Sequence, residues 1–246
     1  MKSQDGRSYL EVAANLAILG CALMAALLFV DRMDRQVPDA AASGAKAKPT
    51  RVESWRKYRA HGLVIGNIEA PIQIVEFADF ECPACGRLHR ELQKLRHRYG
   101  DSLSISFVHY PLSYHRFALP AARAAVCAAE QGQFEKMHDI LFGKQDSLGL
   151  LPFDRLAERI GIPNPLAFSV CFSQADTLAS VASGLLAGRE LGLTGTPTVI
   201  VNGWLMPSVL LDSARLASFI QETLTRGSTS SITRPRTATK PATSPT

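Results

Sequence analysis

The feature that most constrains the fold is an apolar strand followed at once by a helix whose first turn carries two cysteines. Residues 72–78 (IQIVEFA) are rich in β-branched and aromatic side chains and predict a buried strand. From Cys82 onward apolar residues recur at helical spacing up to Gly100, and residues 103–109 (LSISFVH) predict a second strand. A strand–helix–strand order gives two parallel strands joined by a right-handed crossover.

The remainder of the predicted domain is helical first and then returns to strands. Residues 118–190 lose strand character and predict a helical insert with three helical segments. The pair Asn202-Gly203 suits a type I′ turn and predicts a hairpin of two late strands. A last helix follows, with Asp212 as its N-cap. We therefore expect one α/β domain over residues 61–225, with the helical insert inside it.

A long apolar segment lies near the N-terminus. Residues 12–30 contain no ionisable side chain and, as a helix, would span about 28 Å, close to the hydrocarbon thickness of a bilayer. The competing interpretations are a cleaved signal peptide and a buried core helix. Signal peptides have shorter apolar regions of about 7–15 residues and end near a small-x-small site. Here such a site comes only at residues 40–42, so we predict an uncleaved transmembrane anchor.

Composition indicates how the chain ends are organised. Residues 1–11 form a short tail before the predicted anchor, and residues 31–60 are rich in Ala, Lys and Pro, which predicts a linker with a short helix around Trp55. Residues 226–246 are rich in Ser, Thr and Pro and predict a disordered tail.

The basic charge of the chain lies outside the predicted domain. The formal net charge is +5, yet residues 31–60 and 226–246 each carry +4, whereas residues 61–225 carry −3. A nucleic-acid-binding protein would place its basic residues on the folded surface. We therefore expect no nucleic-acid partner.

The motif Cys82-Pro83-Ala84-Cys85 has three possible interpretations: a reactive disulfide, a metal clip or a structural bridge. Pro83 suits the first position of a helix, and the helix N-terminus favours an anion at Cys82. Such a setting lowers a thiol pKa from about 8.5 to between about 3.5 and 7.5. We predict that Cys82 is the nucleophile and Cys85 the resolving thiol, as in a thioredoxin-like redox site at a strand-to-helix turn.

Two further positions are candidates for the same site. Glu76 lies six residues before Cys82 among apolar neighbours, so we expect it to be buried and to exchange a proton with Cys85. The sequence Gly-Thr-Pro-Thr precedes the first late strand. A cis bond before Pro197 would let the backbone of Thr196 pair with an extended substrate.

Four segments occur in the order and spacing of a known family. "IVEFADFECPACGRLH", "FVHYPL", "AARAAVCAAEQGQFEKMHDILF" and "LGLTGTPTVIVNG" resemble the DsbA-like thiol–disulfide oxidoreductases over roughly residues 62–225. The resemblance implies a thioredoxin fold with a helical insertion and action on protein thiols outside the cytoplasm, without a cofactor.

The resemblance also implies residue roles. Cys82 would be the nucleophile, Cys85 the resolving cysteine, Glu76 the buried acid and Pro197 the cis proline. Separately, we predict that the substrate contacts Pro83, Ala84, Thr196 and Pro197. The sequence departs from the family at Ala84, where its strongest oxidants carry His. Without that positive neighbour, a very low thiol pKa at position 82 is not expected.

Three further cysteines and one histidine lie outside the predicted redox site. Cys127 and Cys171 lie on helical segments of the insert, and the alternatives are a structural disulfide or two buried free thiols. Cys21 lies in the predicted anchor and is expected to be inert. His89 follows Cys85 by one helical turn, a spacing that suits a metal ligand, but we expect it on the solvated face of the helix and predict no metal site.

The predicted function is that of a monomeric oxidase held by a single span in the cytoplasmic (inner) membrane, with its domain on the periplasmic side and residues 1–11 in the cytoplasm. It would pass its disulfide to unfolded or thiol-bearing proteins and be reoxidised by a quinone-linked membrane partner. The alternatives are a disulfide isomerase or reductase and a binding protein for a soft ion such as Cu(I). Family isomerases usually dimerise through an extra N-terminal domain, for which residues 31–60 are too short.

Overall fold

The computed structural model describes residues 48–174 and 178–230, together with the isolated positions Leu16, Leu19, Gly20 and Met24. The chain divides into two compact units, residues 1–47 and 48–246, and the fold below is that of the second unit. Apart from these four positions, the predicted anchor falls outside the described residues, as do most of the predicted linker and the chain after residue 230. Within the described part of the chain, no helix combines the length and the apolar character needed to cross a bilayer.

Six strands and eight α-helices make up the described part of this unit. The strands are β1 (Thr50–Arg51), β2 (Leu63–Gly66), β3 (Ile72–Ala78), β4 (Leu103–His109), β5 (Thr198–Val201) and β6 (Trp204–Met206). The helices are α1 (Trp55–Arg59), α2 (Pro83–Tyr99), α3 (Ala118–Ala129), α4 (Phe134–Gly143), α5 (Phe153–Arg159), α6 (Pro165–Ser173), α7 (Leu178–Glu190) and α8 (Ser213–Ser230). Short 3₁₀ turns occupy Gly100–Ser102, Gln145–Ser147 and Ser208–Leu210.

The strands form one sheet in the order β1-β6-β5-β3-β4-β2. The central strands β3 and β4 are parallel, with Glu76 opposite Phe107, and α2 connects them. The other pairs, β3 with β5, β5 with β6, β1 with β6 and β2 with β4, are antiparallel. The predicted parallel unit and the late antiparallel hairpin are both present. This topology brings the N-terminus of α2 and the start of β5 to one end of the sheet.

Side chains from both faces of the sheet are buried, as their alternation along β3 requires. Ile74 and Phe107 point into the larger core, which also contains Leu88 of α2 and most of the helical insert. Phe77 points to the opposite face, where Trp55 and other apolar residues form a smaller core. Burial on both faces explains why β3 is apolar along nearly its whole length.

The predicted hairpin turn and the predicted N-cap of the last helix are both present in the structure. Asn202 and Gly203 have φ values of 46° and 89°, the left-handed conformations that a type I′ turn requires. The Asn202 side chain also accepts a hydrogen bond from the backbone N–H of Gln73 at 2.7 Å, which attaches the turn to β3. Asp212 Oδ1 accepts from the backbone N–H of Arg215 at 2.9 Å, as an N-cap does.

The domain begins before the predicted boundary at residue 61. The predicted short helix is present as α1, but it lies within the fold, because Trp55 and Tyr58 are 3% and 4% exposed. The strand β1 also pairs with β6 and so extends the sheet. Isolated aromatic residues in a polar segment have no periodicity, and this burial was therefore not predicted from the linker-like composition.

The helical insert, the edge of the sheet and the end of the last helix also differ from the sequence predictions. The insert contains five helices, since Gly132 separates α3 from α4 with a φ of 69° and the unpredicted α6 follows Asn164. The edge strand β2 was also not predicted. Helix α8 continues to Ser230, beyond the predicted start of the tail at residue 226. Each further residue of an established helix adds a hydrogen bond at small cost, so a helix can continue into a segment of polar composition.

A disulfide links two helices of the insert. Cys127 of α3 and Cys171 of α6 are bonded, and their Cα atoms lie 5.7 Å apart, within the range that a disulfide allows. Both side chains belong to the larger core. Of the two alternatives for these cysteines, the structure has the disulfide.

Candidate active site

The two cysteines of the motif occupy the first turn of α2. Cys82 is the N-cap and Pro83 the first helical residue, where the missing N–H of proline costs nothing. The carbonyl of Cys82 accepts the first hydrogen bond of the helix from the N–H of Gly86, at 3.1 Å. Both cysteines are free thiols; Cys82 is 6% exposed and Cys85 is fully buried. The structure therefore describes the reduced state, with Cys82 closer to solvent.

The segment before β5 lies directly against Cys82. The peptide bond between Thr196 and Pro197 is cis, as predicted. Cys82 Sγ donates to the carbonyl oxygen of Thr196 at 3.4 Å, although the two residues are 114 positions apart. The fold thus brings together the predicted nucleophile and the predicted substrate-pairing segment.

The surroundings of Cys82 favour its thiolate. They lower the pKa of Cys82 to about 5, chiefly through a hydrogen bond from the Cys85 thiol, with smaller contributions from the Thr196 side chain and the N–H groups of Cys85 and Ala84, against the opposing effect of burial. The contact with the Thr196 carbonyl exists only in the thiol state. The Thr196 hydroxyl is buried and has no hydrogen-bond partner among the described residues, so it is free to donate to the thiolate.

The causes of the lowered Cys82 pKa differ from the sequence prediction in one respect. The helix N–H groups were expected to be the main stabilisers of the thiolate, but the neighbouring thiol has the larger effect. Cys85, the predicted resolving cysteine, therefore also lowers the pKa of the predicted nucleophile. A histidine at position 84 is not required for a low pKa.

Cys85 has the opposite character. Burial raises the pKa of its thiol far above the usual range, and the adjacent Cys82 and Glu76 raise it further. At neutral pH Cys85 therefore keeps its proton while Cys82 loses its own. One motif holds two thiols with strongly different acidity.

Glu76 is buried on β3, as predicted. Its side chain is 1% exposed, and burial raises its pKa to about 8. Glu76 Oε1 has no hydrogen-bond partner in the part of the chain that the structure describes. The carboxyl group is therefore mostly protonated near pH 7, and its effect on the Cys85 pKa places it within electrostatic reach of that thiol.

Two acidic residues before Cys82 hold the active-site loop, and neither was singled out from the sequence. Asp79 is buried and accepts hydrogen bonds from Glu81 N at 2.8 Å, Leu112 N at 2.8 Å and His115 Nδ1 at 2.7 Å. Glu81 Oε2 accepts from Phe117 N at 2.5 Å. These bonds attach the segment after β4 to the turn that carries the cysteines.

Gln145, from the 3₁₀ turn after α4, holds the same loop from the insert. Its Nε2 donates to the carbonyl oxygens of Phe80 and Cys82, at 2.7 and 2.8 Å. A Cβ at Gly86 would lie 2.1 Å from Gln145 Oε1, so the absence of a side chain at Gly86 makes room for this contact. The signal in the sequence was a glycine in the first turns of a helix, where it is less favourable than alanine by roughly 1 kcal/mol.

A groove of about 490 Å³ runs beside the motif. Three predicted residues, Ala84, Thr196 and Pro197, lie along it. The exposed Pro83 is outside its lining. The remaining lining residues are Arg87, Leu88, Arg90, Glu91, Ser208, Leu211 and Asp212.

His89 does not lie on the solvated face of α2, contrary to the expectation from the sequence. Its side chain is 13% exposed, and its ring stacks on Phe142 of α4 at a centroid distance of 4.9 Å. The insert covers this face of the helix, which helical spacing alone did not indicate. His109 is also buried, at 2% exposure.

The fold and the site define a class: a thioredoxin-like α/β protein with a reactive dithiol at a helix N-terminus opposite a cis-proline segment. A family model described as Thioredoxin matches residues 59–222. The chain belongs to this family, and the predicted thioredoxin fold is confirmed.

Similar proteins of known structure share the whole domain. A thioredoxin-like oxidoreductase from Silicibacter pomeroyi DSS-3 is 26% identical, with a TM-score of 0.58 over 69% of this chain and 93% of the other. The thiol-disulfide exchange protein alpha-DsbA2 from Wolbachia pipientis is 21% identical, with a TM-score of 0.56 over 68% of this chain and 92% of the other, and shows the fold alone.

One curated relative is named as an antiporter and is much longer than this chain. Na(+)/H(+) antiporter NhaA 3 from Salinispora tropica is 38% identical over 143 residues, which are 57% of this chain and 21% of the relative. The chain thus spans about a fifth of the length of the curated relatives that it matches first.

Proposed function

We propose that this protein is an oxidase that donates a Cys82–Cys85 disulfide to substrate proteins. The observation that carries the proposal is the difference in acidity between the two thiols, with the pKa of Cys82 lowered to about 5 and that of Cys85 raised. A thiolate that the protein stabilises favours the reduced state, by about 1.4 kcal/mol for each pKa unit. The disulfide is correspondingly more oxidising.

The proposed reaction begins with the oxidised protein. A substrate thiolate attacks Cys82 Sγ, the sulfur nearer to solvent; a substrate–Cys82 disulfide forms, the Cys82–Cys85 bond breaks, and its electron pair goes to Cys85. The high thiol pKa of Cys85 requires a proton at this point. Glu76, buried and with a pKa of about 8, is the group within electrostatic reach that can supply it.

The second step releases the product. Another substrate thiolate attacks the substrate sulfur of the mixed disulfide, and the substrate disulfide forms as Cys82 leaves as a thiolate. A thiol of low pKa leaves faster. The two steps transfer one disulfide to the substrate and leave Cys82 and Cys85 reduced.

The groove beside Cys82 is the proposed substrate-binding surface. An extended substrate segment would pair with the backbone of Thr196, which the cis Pro197 holds against Cys82. Arg87, Arg90 and Glu91 lie along the groove and offer charged contacts to polar side chains of an unfolded protein.

The proposed location is extracytoplasmic, with residues 12–30 as a membrane anchor and a quinone-linked membrane protein as the oxidant that restores the disulfide. The apolar length of residues 12–30 supports the anchor. The Cys127–Cys171 disulfide supports an oxidising compartment, since stable structural disulfides are rare in the cytosol.

The direct test is the redox equilibrium of the purified full chain with glutathione. A reduction potential near −120 mV, the value of a strong oxidant, is expected for an oxidase, whereas a value near −270 mV would indicate a reductase. Cys85→Ser, which cannot form the motif disulfide, is the control for the signal. Recovery of an oxidised substrate with scrambled disulfides would indicate an isomerase, whereas disulfide formation only in a fully reduced substrate would indicate an oxidase.

A further inference from the structure

We propose that His89, His138 and Asp139 form a binding site for a divalent transition-metal ion of the zinc type. The three residues lie outside the dithiol site, one helical turn beyond Cys85 along α2 and on the neighbouring helix α4. The proposal does not depend on the proposed oxidase function. Three donor atoms lie close together, and beside them lies a buried nitrogen that has no hydrogen-bond partner among the described residues.

The three donor atoms are close enough to share one ion. His89 projects from α2 and the other two residues from α4, and one donor atom of each lies within 4.8 Å of the other two. Asp139 Oδ1 is 3.0 Å from His138 Nδ1 and 3.9 Å from His89 Nε2. Ligands about 2.1 Å from a tetrahedral zinc ion are about 3.4 Å from one another, so only small side-chain movements are needed.

The second observation concerns the other nitrogen of His138. Nε2 is buried and has no hydrogen-bond partner among the described residues. The ring lies among Phe107, Phe142 and Phe80, at centroid distances of 4.9, 5.1 and 5.9 Å. An N–H group interacts favourably with an aromatic face, whereas an imidazole lone pair in this setting stays unpaired.

The position of the proton on the His138 ring determines what its Nδ1 atom presents to Asp139. If Nε2 carries the proton, the lone pair of His138 Nδ1 faces the carboxylate oxygen of Asp139 at 3.0 Å. In the other tautomer Nδ1–H donates to Asp139 Oδ1, which also accepts from Gln93 Nε2 at 3.0 Å, but Nε2 is then a lone pair among the rings. With the proton on Nε2, a cation beside the carboxylate is what pairs the Nδ1 lone pair. A bound divalent ion satisfies Nδ1, Asp139 and His89 together, while Nε2–H remains toward the rings.

The charge and exposure of the cluster suit such an ion. The side chains of His89 and His138 are 13% and 4% exposed, and neutral imidazole is the form that binds metals. The nearby Arg96 is ion-paired with Glu135, which offsets its positive charge. The side chain of Asp139 is 41% exposed and that of His89 13%, so an ion can enter from solvent.

The donor set also indicates the type of ion. Two imidazoles and a carboxylate suit zinc and similar first-row ions, and three protein ligands leave a fourth position for water or an external ligand. The site differs in this respect from the dithiol, whose sulfur ligands select soft ions such as Cu(I).

The test is a calorimetric titration of the full chain with zinc chloride after removal of metal with a chelator. The protein is kept in the Cys82–Cys85 disulfide form, so that the motif offers no thiolate ligand. We expect one ion per chain. His89→Ala and Asp139→Asn should each weaken binding at least about tenfold. His97→Ala, which removes an exposed histidine from the same helix, should leave the affinity unchanged.

Titration with Co²⁺ gives an independent measurement, because its visible absorption reports coordination by these ligands. The intense bands of a four-coordinate site should appear in the wild type and in His97→Ala, and be absent from the two ligand variants. Thermal unfolding of each variant verifies its fold, and the buried His138 is left unchanged for that reason. No binding at one ion per chain, or equal affinity in all variants, would overturn the proposal.

Discussion

The two cysteine pairs of this domain are similarly buried and yet differ in chemistry. Cys82 is 6% exposed and Cys171 8%, while Cys85 and Cys127 are fully buried. The first pair has free thiols at a helix start, and the second is a disulfide between two helices of the insert. Exposure therefore does not distinguish them. The difference lies in the hydrogen-bond donors that face Cys82, which stabilise a negative charge on its sulfur.

The largest expected effect is the loss of the nucleophile. Cys82→Ser should reduce the rate of disulfide transfer to a reduced substrate by at least about a thousandfold, because the hydroxyl is not ionised and forms no disulfide. The measurement is oxidative refolding of a reduced protein in a glutathione buffer. Cys127→Ser is the matched control at the other pair and should retain transfer. A transfer rate in Cys82→Ser above one tenth of wild type would contradict the assignment of Cys82 as the reactive sulfur.

Removal of the second pair should affect stability and leave the chemistry intact. The double variant Cys127→Ser, Cys171→Ser should lose about 2–4 kcal/mol of unfolding free energy, since the bond closes a long loop. Urea unfolding measures the loss. The thiol pKa of Cys82 should stay the same, and a large change in it would show that the two pairs are coupled through the insert.

Glu76 gives the next effect, which depends on pH. Its folded pKa of about 8 exceeds its ordinary value of 4.5, so folding binds a proton between these two values and stability falls as pH rises through this window. Glu76→Gln removes the carboxyl group. The variant should match wild type near pH 4 and exceed its stability at pH 7 by about 1–3 kcal/mol.

Urea unfolding of the reduced protein at several pH values measures this difference. Because the comparison is between two variants, other titrating groups cancel. The same substitution should slow the attack on the motif disulfide, since Cys85 loses its proton donor. A stability difference independent of pH would contradict the raised pKa.

The smallest effect is expected at Gln145. Gln145→Leu leaves the carbonyl oxygens of Phe80 and Cys82 without their donor, which should cost about 1–2 kcal/mol. It should also alter the alkylation rate of Cys82 by about threefold, because the loop loses its link to the insert. Gln131→Leu, which breaks a comparable contact with Asn164, is the control. Equal alkylation rates in both variants would show that Gln145 affects stability and not the reactivity of Cys82.

The parts of the fold that the sequence predicted depend on local signals. The strand of residues 72–78, the proline after Cys82 and the turn at Asn202-Gly203 each follow from a few adjacent residues. The placement of Thr196 beside Cys82 was predicted from the Gly-Thr-Pro-Thr sequence together with what the redox site needs, because a contact across 114 positions leaves no local pattern.

The parts that were missed depend on distant packing. Asp79 is an ordinary acid in the sequence, and only the segment around Leu112 and His115 gives it partners. Gln145 and His89 acquire their roles from the way the insert covers α2. The α6 segment is apolar on nearly all sides, so it had no helical periodicity to recognise.

The most direct test of the account is the titration of Cys82 in the reduced full chain, followed by the ultraviolet absorbance of the thiolate. The account predicts a midpoint near pH 5, and a higher midpoint in Cys85→Ala, because the thiol of Cys85 is the main donor to the Cys82 sulfur. A wild-type midpoint near the ordinary thiol pKa of about 8.5 would contradict it.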